Sequence, residues 1–331
     1  MKGIAILAML FHHLSPAETV LFRQIGEWGK VCVAMFLFCS GYGLSIQYAK
    51  FTESRSIRNS IRFLTRRLIK FYSNYWVIFI LFVPISLFLF GRTLIDAYGS
   101  GVNLPKHLFL DFLGIEGFNS YNVTWWFNKL ILIFYILFPG LYWIGQRFPW
   151  GSLVLSLLAG IVYRRLGLGG YWALTFLYLF PFMIGITWTR LGQRSPFVDR
   201  WCLNHRYLLL GIALVLVIVC SILRKNPLIG VRMDGPLTAG MALIVLCLKT
   251  SGEKLRSLFA FLGTHSANIY LLHTFWNEYW PTASLIQSTI HSDTLRFLCL
   301  LILCIFSSLF IEWIKNITGY RKVTRIISES I

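Results

Sequence analysis

Apolar runs long enough to cross a bilayer recur along this chain from its first residues to its last forty, and few features constrain a fold more. The hydrocarbon core holds no water, so each backbone N–H and C=O inside it must find a partner within the protein. Only helices and closed barrels achieve that. The runs here are near-continuous rather than alternating, which selects helices. Of 331 residues, 56% are hydrophobic and 13% charged, against about 25% charged in a soluble domain. Windows of about 20 residues, matched to a core of ~30 Å, place about ten spans, near 3–22, 30–49, 71–90, 125–145, 150–165, 171–189, 207–223, 235–249, 257–275 and 295–314. The expected fold is therefore all-α, a polytopic integral membrane protein with about ten transmembrane helices. No internal repeat or low-complexity tract divides it, so 1–331 reads as a single domain.

The formal charge of +18 comes from 31 Lys and Arg against 13 Asp and Glu. Nucleic-acid binding would need a solvated basic domain, and no polar segment is long enough to form one. Cytoplasmic loops of membrane proteins are enriched in Lys and Arg, which accounts for much of the excess. With the N-terminus inside, 20 of the 31 fall on that side: Lys2, seven from Lys50 to Lys70, Arg147, four from Arg190 to Arg206, three from Lys249 to Arg256, and four from Lys315 to Arg325. Both termini are thus expected to be cytoplasmic. The seven cysteines, Cys32, Cys39, Cys202, Cys220, Cys247, Cys299 and Cys304, form no CxxC and lie mostly in apolar runs, so they read as small buried hydrophobes. The first run lacks a small-residue cleavage site and carries histidines, which reads as a span and not a cleaved leader.

That first run, "MKGIAILAMLFHHLSP", is short for a span: Met1 to Leu14 as helix covers roughly 21 Å. Either the helix continues past Ser15-Pro16 or chain precedes this Met. Lys2 and His13 are eleven residues apart. Eleven helical steps of 100° return the second side chain to within about 20° of the first, some 16 Å along the axis. Lys2 is then expected at the membrane edge and His13 on the same face at mid-membrane, with His12 turned about 100° away. Ionisable groups inside a span are costly and usually face a polar cavity with a function. A structural hydrogen bond is the plainer reading of one buried His, and surface snorkelling that of Lys2. Adjacent His12 and His13 are poor chelate spacing on a helix, and no HExxH or Cys/His cluster is present, so no metal is expected.

"KGIAILAMLFHH" resembles the first-span signature of the acyltransferase 3 family, integral-membrane enzymes that O-acylate bacterial saccharides. The family's basic residue, commonly Arg, maps onto Lys2, and its catalytic His onto His13. Lys is a point charge without the fork of Arg. Four further stretches match in order. "CVAMFLFCSGYGLS" carries Ser40, Gly41 and Tyr42, with Cys32 where Gly is usual. "FLTRRLIKFYSNYW" carries Arg66, Arg67 and Lys70. "WWFNKLILIFYILFP" carries Trp126, Tyr135 and Pro139, with Ile131 and Leu132 where many members have Glu. "LGTHSANIYLLHTF" carries Ser266, Tyr270 and His273. The five pieces lie between residues 2 and 275.

The resemblance implies a transmembrane acyltransferase domain over 1–331, in the bacterial inner membrane, moving an acyl group from acyl-CoA (most often acetyl-CoA) to a hydroxyl of a cell-surface or lipid-linked saccharide. Such chemistry needs a base near the acceptor oxygen, a dock for the donor, and donors for the oxyanion. His13 is the candidate base, with Lys2 and His273 completing the catalytic set; His273 would orient the acceptor or donate to the oxyanion. Arg66, Arg67 and Lys70, with Arg62 on the same stripe, suit the phosphates of CoA, although inside-positive topology alone would also place them there. His12, Ser40, Tyr42, Trp126, Tyr135 and Tyr270 are candidate substrate or cavity-lining residues, the aromatic ones equally core or interface groups. The implied partners are membrane lipids and a glycan. A non-enzymatic transporter or flippase of lipid-linked saccharides is the alternative, since intramembrane His and a basic lobe also suit a substrate path.

Overall fold

A computed structural model describes residues 1–14, 19–51, 57–163, 167, 169–193, 204–226, 229–247 and 252–331. Cys202, the Ser15-Pro16 pair, and Arg55, Arg194, Arg200 and Lys249 of the basic loops lie outside the described residues. Among those described there is no strand. The helices in chain order are α1 (Lys2–His13), α2 (Val20–Gly29), α3 (Cys32–Phe51), α4 (Ile57–Phe88), α5 (Leu94–Tyr98), α6 (Leu104–Phe112), α7 (Trp126–Arg147), α8 (Pro149–Val162), α9 (Gly170–Gln193), α10 (Arg206–Arg224), α11 (Asp234–Cys247), α12 (Glu253–Thr274), α13 (Pro281–Thr289), α14 (Asp293–Ile317) and α15 (Tyr320–Ser330).

The chain is an all-α, multi-pass membrane protein. A helix stands at each of the ten expected positions, and seven among the described residues are long and apolar enough to cross a bilayer. The other three differ for separate reasons. α1 has 12 residues, about 18 Å, and ends at His13, so the expected span 3–22 is not one described helix. α8 has 14 residues. α12 is long enough at 22 residues, but its middle carries Thr264, His265, Ser266 and Asn268, of which His265 and Asn268 bond to α14.

The chain divides into two compact units, each assembled from three separated segments. The first comprises 1–5, 31–60 and 133–261. Here α3 and α9 meet so closely that glycine is required: a Cβ at Gly41 would collide with the Phe182 carbonyl, and one at Gly185 with the Phe38 carbonyl. In lipid, helices gain no hydrophobic drive to associate, and close approach of small residues supplies packing instead. Tyr48 packs edge-on against Phe138 and Tyr142, and its hydroxyl meets that of Ser60 at 2.5 Å. At the start of α11, buried Asp234 accepts a 2.5 Å bond from Arg224.

The second unit comprises 6–30, 61–132 and 262–331. Its core joins Tyr75, Ile78, Phe79 and Phe82 of α4 to Leu271, Leu272 and Phe275, with Trp125, Trp280 and Ile311. After α12 the backbone takes one π-helical turn, Phe275–Tyr279. A buried polar network ties α12 to α14: Asn268 donates to Ser308 at 3.0 Å and to Glu312 at 3.0 Å, and Lys315 reaches Glu312 at 2.9 Å and Asn74 of α4.

The glycine contact generates a prediction for the first unit. Gly41→Ala and Gly185→Ala should each lower stability by about 1–3 kcal/mol, the usual cost of overpacking. Gly43→Ala, where nothing lies within 4 Å, should be neutral or slightly stabilising through helix propensity. Unfolding in detergent measures all three.

Candidate active site

The second unit brings the rings of His13 and His273 into contact. The C-terminal end of α1 delivers His12 and His13, and the last turn of α12 delivers His273. The His13 and His273 rings stand 4.7 Å apart, centroid to centroid, and tilted 55°. His273 is fully buried and His13 half-buried. The two adjacent histidines have different partners: the His12 ring donates from Nδ1 to the Gly26 carbonyl of α2 at 3.0 Å, whereas no hydrogen bond joins either His13 ring nitrogen to another described residue. The backbone carbonyl of His13 accepts from the Asn277 amide, which holds the end of α1 against the π turn.

His273 is held in one tautomer. Its Nδ1 lies 2.8 Å from the Tyr270 carbonyl, and a carbonyl only accepts, so Nδ1 carries the hydrogen of the neutral ring. Nε2 then holds the lone pair, and it is a buried nitrogen with no hydrogen-bond partner among the described residues. Buried polar atoms are nearly always partnered. An orphaned proton acceptor beside a second imidazole is chemically available.

The same stretch of α12 is braced from 122–125. Trp125 donates from Nε1 to the Leu271 carbonyl at 3.0 Å, with the Asn122 amide at 3.4 Å. Tyr270 donates its hydroxyl to the Thr124 carbonyl at 2.5 Å, and the Thr124 and Thr274 hydroxyls meet at 3.0 Å. These bonds tie the 122–125 segment to the last turn of α12, just before its π turn, with donors and acceptors paired away from water.

The 120–125 segment is held in turn by Asp111 of α6. Its carboxylate accepts from the Tyr121 N–H at 2.5 Å and the Tyr98 hydroxyl at 2.7 Å, and the Tyr75 hydroxyl donates to its carbonyl at 2.5 Å. Burial pushes the Asp111 carboxyl up to about 6, against the pull of those donors. Arg92 lies over the Tyr279 ring at 3.2 Å and donates to the Tyr121 carbonyl at 2.8 Å.

The basic strip lies on the N-terminal half of α4, with Arg62 and Lys70 exposed and Arg66 and Arg67 half-buried; the Arg67 guanidinium stands over Phe63 at 5.5 Å. Counting 1.5 Å per residue along α4 puts Ile78–Phe82, which pack beside Leu272 and Phe275, about 18–24 Å from Arg66. Trp126, at the head of α7, stacks on Phe118 at 5.5 Å. Lys2, Ser40, Tyr42 and Tyr135 belong to the first unit: Lys2 is exposed, Ser40 and Tyr135 are half-buried, and Tyr42 is exposed beside Phe38. Among the described residues no group of three or more His, Cys, Asp or Glu could hold a metal ion.

A family model described as an acyltransferase domain, that of the acyltransferase 3 family, matches residues 1–313 of the 331. The chain belongs to that family and is a membrane acyltransferase. Neither a search of curated proteins nor one of solved structures finds a match.

Sequence reading missed Asn277, Trp125, Asn122 and Asp111 as supports of the site. Asn277 stands four residues after His273 in "HTFWN", a helical repeat that places both on one face, and that spacing is the one signal that could have found it.

The raised carboxyl of Asp111 fixes the sign of a pH dependence. Its folded value lies above the ordinary 3.8, so the protonated form is favoured on folding. The associated stability is present below about pH 4 and is lost as pH rises through about 6, by at most roughly 3 kcal/mol. Thermal unfolding across that window should lose a downward component of its slope with rising pH in Asp111→Asn, whatever that variant's absolute stability.

Proposed function

We propose that this membrane acyltransferase moves an acyl group, most simply acetyl, from acyl-CoA to a hydroxyl of a cell-surface or lipid-linked saccharide, with His13 as general base. The whole of 1–331 acts as one transmembrane domain of the bacterial inner membrane, both termini cytoplasmic. The observation that carries the reading is the facing imidazole pair, one ring locked in a tautomer that leaves an unpartnered acceptor nitrogen.

His13 accepts the hydroxyl proton as the acceptor oxygen bonds to the thioester carbon. His273, with Nδ1–H fixed on the Tyr270 carbonyl, keeps Nε2 as a free acceptor beside His13; a His13 N–H that turned onto it as substrate enters would set which His13 nitrogen faces the hydroxyl, as the third member of a triad orients its base. When the carbon–sulfur bond breaks, the proton held by His13 passes to the departing thiolate. Asn277 positions His13 through its carbonyl. Arg66, Arg67 and Lys70, with Arg62, hold the CoA phosphates, and the 18–24 Å run of α4 gives the pantetheine arm its path to the rings. Lys2 marks the water edge of α1. His12, bonded to Gly26, holds α2 against α1, while Trp126 and Tyr270 line the approach or brace it.

Loss of the base should lower turnover by roughly 10²–10⁴-fold. Transfer of a labelled acyl group from acyl-CoA to a glycan, measured for His13→Ala with folding verified, checks this; undiminished transfer would remove His13 from the role. Arg67→Ala should weaken acyl-CoA binding by about 1.5–3 kcal/mol, the range for charge-assisted bonds. The defect should be largest at low salt, where phosphate attraction is least screened. Equal affinity in the two proteins would assign the strip to topology alone.

A further inference from the structure

Acyl transfer makes no use of α15, yet its chemistry is the most sharply divided in the second unit. On a 100° wheel, Tyr320, Val323, Ile326 and Ile327 fall within about 120°, and Arg321, Lys322, Arg325 and Glu329 occupy the opposite arc. The apolar side is uncovered: Val323, Ile326 and Ile327 are 53%, 56% and 46% exposed.

Where the helix sits indicates what covers it. α15 starts three residues after α14, which is long and apolar enough to cross a bilayer. Gly319 between them adopts φ 67°, a left-handed turn that ends helices. Arg321 is ion-paired with Glu312. On a continuous helix those residues, nine apart, would lie on opposite faces about 14 Å apart along the axis, so the chain turns off the axis of α14. The end of α14 is fixed beside α4 through Lys315 and Asn74, one helical turn beyond Lys70. α15 therefore begins at the edge of the hydrocarbon, on the face where the basic strip of α4 emerges.

The charge of α15 complements that location. Three cations stand against one carboxylate, and Arg325 pairs with Glu329 at 2.7 Å. Exposed pairs of this kind are weak, and a guanidinium bonded to one carboxylate keeps donors for a phosphate.

We propose that α15 is a membrane-surface helix, its Val323, Ile326 and Ile327 side set into the interface and its Lys322 and Arg325 bound to anionic phospholipid headgroups. An amphipathic, basic helix lies in the interface plane in this way.

The test uses the full-length protein in nanodiscs of phosphatidylcholine alone or mixed with phosphatidylglycerol, and reads amide hydrogen exchange over 320–331. Exchange should be slower in the anionic bilayer. That advantage should fall roughly fivefold for each of Lys322→Ala and Arg325→Ala, and should shrink with added salt. Arg325→Ala also removes the pair with Glu329, which loosens the helix in either lipid, so the ratio between the two bilayers is the deciding quantity. Ile327→Ser should speed exchange in both. Equal exchange in the two bilayers would overturn the proposal. So would protection that arises only on adding acyl-CoA, which would make the basic side a nucleotide contact.

Discussion

The candidate site depends on a few carbonyl oxygens of α12. At Tyr270 and Leu271 the helix is about to pass into its π turn, and oxygens in this stretch take side-chain donors: the ring of His273, the indole of Trp125 and the amide of Asn122. In water such bonds would be exchangeable with solvent. Trp125, Asn122 and His273 are buried, and a buried N–H left unpaired costs about 1–3 kcal/mol, so the donors are bound to their places. His273 thereby loses the freedom to choose its tautomer, and its second nitrogen is left as an unpartnered acceptor on a ring 4.7 Å from that of His13.

The supports beyond those carbonyls form a chain of polar contacts running outward. Trp125 and Thr124 are carried by a short segment that Asp111 grips through the Tyr121 N–H, and Asp111 is reached in turn by tyrosines from α4 and α5. Each bond inside a membrane protein contributes modestly, about 0.6 kcal/mol on average. Their weight lies in geometry, since a proton acceptor displaced by 1 Å can lose about 10²-fold in rate. The aromatic core of α4 and α12 fills the space between them, and the same helix α4 carries the basic strip, so one element sets the distance from that strip to the core beside Leu272 and Phe275.

The helices were legible because the bilayer leaves few alternatives: an apolar run of the right length must be a helix, and a helix stands at every position where one was expected. Legibility failed where tertiary contacts decide. α1 stops at His13, and the ring of His12 is spent on a carbonyl of α2, a helix that no apolar run announced. The polar middle of α12 weakens it as a span on composition, and the reason becomes visible only when His265 and Asn268 find Ser308 and Glu312 some 40 residues away. The π turn has no signature of its own, for its bracing donor Trp125 lies 146 residues from Leu271. The histidines themselves could be named from the sequence, since an ionisable ring in an apolar run is conspicuous. The family resemblance groups His13 with His273; that only one of the two rings has a fixed tautomer could not be read from the sequence.

The most direct measurement of the account is an experimental structure of the full-length protein with a non-hydrolysable acyl-CoA analogue. The nucleotide phosphates are expected on Arg66, Arg67 and Lys70 and the thioester beside the rings of His13 and His273. A nucleotide bound away from α4, or an acyl group that ends out of reach of both imidazoles, would contradict it.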